Sequence, residues 1–368
     1  NLETKQLIPY FLYFSMYRTK WGLKLMDSIG KKHSKLMVCI GYLGILIGFV
    51  GMALISYGLI NNIYVLFTKP EAQPGVGLVL PFKAKGVFFV PFFYWIIAIF
   101  VIAVVHEFAH GVIARANNLK VKSSGFAFLG LIVPVIPAAF VEPDEKELRK
   151  RPHKEQLSVF AAGPFSNIVF AFLFLAIASF ILAPIANAVI EPNGVKVTKY
   201  VEGPFPAEKA GIKIGELIQK VDNLPTPYVN NLSSALKSKR PNDMVAITTD
   251  KSAYEVRLSK NPENESMAYL GAYLEQSTKI KDSIKGTYGE FLPNSLIWLY
   301  GLFVILVVLN FGIGLFNLVP IGPLDGGRML QLVLHRIFDE KKGNKIWGYI
   351  GLFFMVLIFI NIVFGFVR

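Results

Sequence analysis

Long apolar stretches and short basic segments alternate along the chain. Apolar runs stand at about 36–60, 86–114, 158–185 and 346–367, and a fifth at about 294–319 carries Asn310, Asn317 and several glycines. A spanning helix needs about 20 such residues, so each run predicts a membrane span. The stretch LIPYFLYFSMY (7–17) is shorter and reads as the remnant of a further span or as an interfacial segment. GFAFLGLIVPVIPAAFV (125–141) is equally apolar but holds Pro134 and Pro137, which disrupt a helix interior. It predicts a re-entrant or membrane-lying hairpin with β character. Such backbone is tolerated at membrane depth only where protein or a water-filled cavity satisfies it.

Between residues 190 and 290 the pattern changes. GVKVTKYV alternates as a strand does, GPFPAEKAGIKIGELIQKVDN reads as turn, short helix, turn and strand, and NNLSSALKSK looks helical. MVAITTD and YEVRLS flank Lys251 and Ser252 as a hairpin, and MAYLGAYLE closes the region as one more strand. About ninety residues of this kind make a plausible small α+β domain.

Composition agrees with a membrane protein. Of 368 residues, 53% are hydrophobic and only 17% charged, against about a quarter charged in soluble chains. The net charge of +13 does not imply a nucleic-acid partner, because Lys and Arg cluster beside the apolar runs. The segments before 36, after 114 and before 346 are the basic ones, and 61–85 holds only Lys69, Lys83 and Lys85. By the positive-inside rule the first three face the cytoplasm, while 61–85 and 190–290 lie outside. The single cysteine, Cys39, excludes an intrachain disulfide and a cysteine-based metal site.

Three ionisable groups interrupt the second run: His106, Glu107 and His110, in HEFAH. Ionisable groups at membrane depth cost several kcal/mol and mark function by default. Residues four apart share one helix face, so His106 and His110 can bind one Zn²⁺ with Glu107 beside its water as general base. A catalytic zinc takes three protein ligands and keeps one position open. The third ligand is not nearby, since no Asp, Glu or His follows His110 until Glu142. Candidates are Glu142, Asp144, Glu145, His153, Asp325 and His335. Asp325, in NLVPIGPLDGGRML, has the best surroundings, with prolines and glycines to turn it inward; it could instead simply cap the helix that follows. HEFAH and Asp325 both fall at cytoplasmic ends and can meet.

Together, HEFAH at 106–110, AAGPFSN at 161–167 and NLVPIGPLDGG at 317–327 resemble the motifs of the site-2 protease family of intramembrane zinc metalloproteases. The likeness runs from about residue 80 onward. It implies a multi-span α-helical membrane protein with a membrane-embedded zinc metalloprotease core and one Zn²⁺ per chain. It also implies that Asp325 is the third ligand, and that Asn167 and Asn317, with Gly163, Pro164 and Pro320, shape the active site or hold the substrate backbone. The broken segment 125–141 would be the family's β-like element that pairs with an extended substrate. The inserted α+β domain resembles a PDZ domain, with Tyr269, Leu270, Gly271 and Ala272 as the turn that would grip a peptide terminus.

The resemblance divides the chain into 1–80, an interfacial segment and first span; 81–189, the first part of the core; 190–280, the PDZ-like domain; and 281–368, the second part. The implied partners are single-span membrane proteins already trimmed by another protease, together with membrane lipid. Residues 1–80 carry no motif and read as peripheral, with RTKWGLKLMDSIGKKH (18–33) an amphipathic, lipid-facing or solvated segment. A transporter and an inactive membrane chaperone of the same fold are the competing readings. The first leaves HEFAH unexplained, and the second predicts a damaged motif.

Overall fold

The computed structural model describes residues 2–8, 12–69, 72–131, 133–262 and 264–367. Among them, five helices are long and apolar enough to cross a membrane: Ser34–Thr68, Phe92–Ala116, His153–Val189, Phe291–Phe316 and Glu340–Val367. They stand at the five apolar runs, and the chain is a multi-pass membrane protein. It forms two compact units, residues 1–179 with 301–368, and residues 180–300.

The first unit opens with strands β1 (Leu2–Ile8) and β2 (Leu12–Thr19), then helices α1 (Leu23–Lys32), α2 (Ser34–Thr68) and α3 (Phe92–Ala116). A hairpin follows, β3 (Val121–Leu131) and β4 (Val133–Pro143), and then α4 (His153–Ile177), which runs on through a π-helical turn at Ala178–Leu182 to Val189. The strands form one antiparallel sheet in the order β1-β2-β3-β4. The expected hairpin at 125–141 is therefore present. Its prolines are accommodated because β4 is an edge strand, where a missing N–H breaks no ladder bond.

Two expectations about the N-terminal region are corrected. The stretch 7–17 is not a span remnant: its described residues belong to β1 and β2, with Leu12–Thr19 paired against β3 from Leu131 to Ser124, while residues 9–11 lie outside the described ones. Nor is 1–80 peripheral. Helix α1 buries Met26 against Gly111 of α3, and its Asp27 meets Arg115 at 3.1 Å. Helix α2 buries Gly41, Gly44, Gly48 and Gly51 on one stripe, facing Ser158, Phe165 and Ala161 of α4 and Leu318 beyond it. Small residues at this spacing let two membrane helices approach closely, where dispersion contacts replace the hydrophobic effect.

The second unit holds β5 (Ile190–Tyr200), β6 (Leu217–Val221), α5 (Val229–Lys237), β7 (Met244–Thr249), β8 (Ala253–Arg257) and β9 (Ala272–Ile280). These strands pair antiparallel in the order β8-β7-β6-β5-β9, which leaves β9 at one edge. Val195, Val197, Ile218, Leu232, Ile247 and Val256 are among its fully or almost fully buried core residues. MAYLGAYLE is not one strand. Gly271 turns left-handed at φ +75°, so Ala268–Tyr269 pairs with Ser259–Lys260 while β9 pairs with β5.

The chain then returns to the first unit through α6 (Phe291–Phe316), a buried turn, α7 (Asp325–Ile337) and α8 (Glu340–Val367).

Candidate metal centre

Helix α3 carries His106 and His110 one turn apart, their ring centroids 4.7 Å from each other. The third group arrives from the far end of the chain. Asp325 Oδ2 lies 3.0 Å from His106 Nε2 and 3.4 Å from His110 Nε2, and the two Nε2 atoms are 3.1 Å apart. Among the described residues these three form the one cluster of His, Cys, Asp or Glu side chains able to hold a metal. Ligand atoms about 2.0–2.2 Å from a tetrahedral zinc stand roughly 3.3 Å apart, so the observed triangle fits the ion.

The neighbours support the same donor set. His110 Nδ1 lies 2.6 Å from the Val159 carbonyl, which can only accept, so Nδ1 carries the proton and Nε2 keeps its lone pair for a metal. Val159 precedes Phe160, whose carbonyl has no helical partner because Pro164 four residues on lacks an N–H. Gly163, in the same turn, faces the imidazoles. A Cβ there would stand 2.5 Å from His106 Nε2 and closer still to His110 Nε2. The site is a cradle that one methyl group would fill.

Asn167 is fully buried one turn on, with Nδ2 3.2 Å from His106 Nδ1 and Oδ1 lacking a partner. With Nε2 turned toward Asp325, Nδ1 bears the proton and needs an acceptor. Rotating the amide supplies it, placing Oδ1 on the Nδ1–H donor. Replacing Asn167 by Leu is expected to weaken zinc binding about 10–100-fold with α4 still folded, measured by competition with a chromogenic chelator.

Asp325 owes its place to the turn before it. Gly326 donates its N–H to the Asn317 carbonyl at 2.8 Å, closing the NLVPIGPLDGG segment on itself. A Cβ on Gly326 would overlap the Leu318 carbonyl, and one on Gly327 the Ile321 carbonyl. Pro320 is buried within this turn. Asp325 begins α7, but Leu324 is the cap residue and no side chain caps the helix.

The other candidates are engaged elsewhere. Glu142 accepts from Ser123 Oγ at 2.7 Å and meets Arg18 at 3.5 Å. Asp144 caps the short helix Glu145–Leu148, Glu145 stands 3.9 Å from Arg328, and His335 meets Asn344 at 2.8 Å. His153 opens α4 and is exposed.

Glu107 shares a cavity of about 670 Å³ with His106, His110, Asp325 and Asn317. Its Oε2 accepts the Val141 N–H at 2.9 Å, so α3 takes one outward group of edge strand β4 at this point. Neither Val141 nor the Val159 carbonyl is marked in the sequence, because both act through backbone atoms. The proposed peptide-terminus residues lie in the second unit, at the head of β9. Leu270 is buried in that core, Tyr269 packs edge-on against Phe205 at 5.5 Å, and the Leu270 and Gly271 carbonyls accept from Ala207 and Val201.

Comparison with known proteins places this geometry. A family model for peptidase family M50 matches residues 94–358, more than two thirds of the chain. An uncharacterized protein of Methanocaldococcus jannaschii is 27% identical over 94% of this chain and 83% of its own length. The regulator of sigma-W protease RasP of Bacillus subtilis is 22% identical, over 59% of this chain and 60% of its own length. A putative zinc metalloprotease of Staphylococcus aureus is 24% identical over 71% of this chain and 70% of its own. Among solved structures, the PDZ domain of an SdrC-like protein from Listeria monocytogenes aligns with 22% of this chain and 86% of its own length, at 21% identity and a TM-score of 0.20. With the family match spanning HEFAH, GPFSN and the Asp325 turn, and with a His–His–Asp cluster of zinc dimensions among apolar helices, the chain belongs to peptidase family M50 and is a membrane-embedded zinc metalloprotease.

Proposed function

We propose that this protein is of the site-2 protease type and cuts peptide bonds in or near the transmembrane segments of single-span membrane proteins. The observation that carries the reading is one cavity that His106, His110 and Asp325 share with a fourth group, Glu107, whose Oε2 holds the Val141 N–H. A transporter has no need of a glutamate beside a three-ligand metal site, and an inactive chaperone would have no reason to keep all four groups.

Roles follow from position. His106, His110 and Asp325 would hold the ion, which would supply Lewis acidity toward a peptide carbonyl and toward water. Glu107 takes a proton from the attacking water and returns it to the leaving amine. Asn317 lines the same cavity and gives its amide nitrogen to the Ile313 carbonyl, so its side-chain oxygen would meet a substrate backbone N–H. Edge strand β4, whose Val141 N–H is held by Glu107, would offer an extended substrate its remaining outward groups to pair with, which would compensate for the hydrogen bonds lost when a transmembrane helix unwinds. The basic flanks support an active site toward the cytoplasm and an inserted domain outside. That domain's edge strand β9 lies beside α5, where Val229 N–H donates to Gln276, and such an edge suits a PDZ-like grip on a peptide terminus left by an earlier cut.

The test is reconstitution of the purified chain in liposomes with a single-span substrate carrying a short extracytoplasmic stub. Cleavage is expected within or at the edge of the span, mapped by mass spectrometry. A strong chelator is expected to stop it and stoichiometric Zn²⁺ to restore it. Zinc-loaded protein that leaves every such substrate intact would refute the assignment.

A further inference from the structure

A second cavity, of about 490 Å³, lies between α1, α3 and the β3–β4 hairpin. We propose that it is a side-chain subsite selecting a bulky apolar residue beside the scissile bond. The inference rests on the proteolytic reading above.

Three observations carry it. The first is continuity: Glu107, Phe140 and Val141 line both this cavity and the metal cleft, so the catalytic base stands at their junction. The second is the division of α3 into faces. His106 and His110 turn to the metal, whereas Val104, Glu107 and Phe108, at positions i, i+3 and i+4, form the neighbouring stripe that walls this cavity. The third is that the far wall is anchored at its base, while Trp21 and Leu25 at its rim are exposed. Met26 of α1 is 2% exposed, Asp27 is paired with Arg115, and Ser124 Oγ donates to the Trp21 carbonyl at 2.5 Å. The Trp21 ring itself lies 5.9 Å from that of Phe126.

The lining is overwhelmingly apolar, with Leu25, Met26, Phe108, Phe126 and Phe140 prominent. Pockets of this volume class accept small organic groups, so one large side chain fits. Geometry supplies the occupant. An extended peptide lying along edge strand β4 beside Glu107 would send successive side chains to opposite faces. With one residue over the polar metal cleft, its neighbour meets the apolar cavity. Burial of that side chain favours cleavage beside Leu or Phe over Ala, because each buried methylene contributes to transition-state binding.

The full-length protein in liposomes decides it, with a single-span substrate series differing only at the two residues flanking the cut: Ala, Leu or Phe at each. In the wild type, kcat/KM is expected to be about ten-fold or more higher for Leu or Phe than for Ala at one of the two positions. Ala139→Phe, which fills the cavity, is expected to remove that preference, and Phe126→Ala, which enlarges it, to move it toward Phe. Zinc content equal to wild type shows that each variant holds its fold. A Leu-to-Ala ratio unchanged in both variants overturns the subsite and leaves the protease reading standing. A common fall across the whole series at constant ratio, as for a cavity filled by a lipid chain, does the same. No cleavage of any member by the zinc-loaded wild type overturns both.

Discussion

Glu107→Gln will retain zinc and lose peptide-bond hydrolysis. General-base catalysis by a positioned carboxylate contributes about 10²–10⁴-fold, and the loss is expected in that range or down to background. The substitution is informative because of what it spares. Glu107 accepts the Val141 N–H through Oε2, and a glutamine carbonyl accepts the same bond, so the hairpin stays docked against α3. The three ligand atoms belong to other residues and keep their spacing. What glutamine cannot do is take a proton from water. The measurement pairs cleavage of the single-span substrate with zinc per chain by elemental analysis. Full zinc with wild-type cleavage would remove Glu107 from the mechanism.

Gly163→Ala will empty the metal site while leaving the helix intact. Alanine is favoured over glycine in a helix interior by about 1 kcal/mol, so nothing local argues against folding. The harm comes from outside α4. The new methyl would lie 2.5 Å from His106 Nε2, well inside contact distance, and the atoms it meets are ring nitrogens that must face the ion. The imidazoles cannot withdraw easily: His110 is held by the Val159 carbonyl and His106 by Asn167. Zinc is expected to fall from one per chain to near zero, as in Asp325→Asn, with unchanged far-ultraviolet circular dichroism. A Gly163→Ala protein carrying full zinc would show that the cradle has more slack than these distances allow.

Much of this was open to a reader of the chain alone, for definable reasons. Spans are visible because hydrocarbon demands about 20 apolar residues in a row, and all five runs became helices. The His106–His110 pair is visible because its separation is set by helix geometry. The hairpin was betrayed by its prolines. The N-terminal strands were hidden because LIPYFLYFSMY is a short, nearly continuous apolar run, which periodicity alone cannot assign to strand or helix. The α2 stripe Gly41, Gly44, Gly48 and Gly51 was the one missed signal of the N-terminal region that spacing could have revealed.

The sequence by itself determined the chemistry on offer: a two-histidine helix, a base between the histidines, membrane-grade scaffolding, and a short set of possible third ligands. Only the tertiary structure shows which of those candidates lies beside the two histidines. It brought Asp325 within 3.0 Å of His106 while Glu142, Asp144 and His335 found partners of their own. The reason is that a ligand two hundred residues away is selected by packing. The turn at 317–327 folds back only because Gly326 and Gly327 leave room for its carbonyls, and the imidazoles converge only because Gly163 leaves room for them. Local spacing records which side chains can share a helix face; which distant backbones can come close enough to complete the site is recorded only in three dimensions.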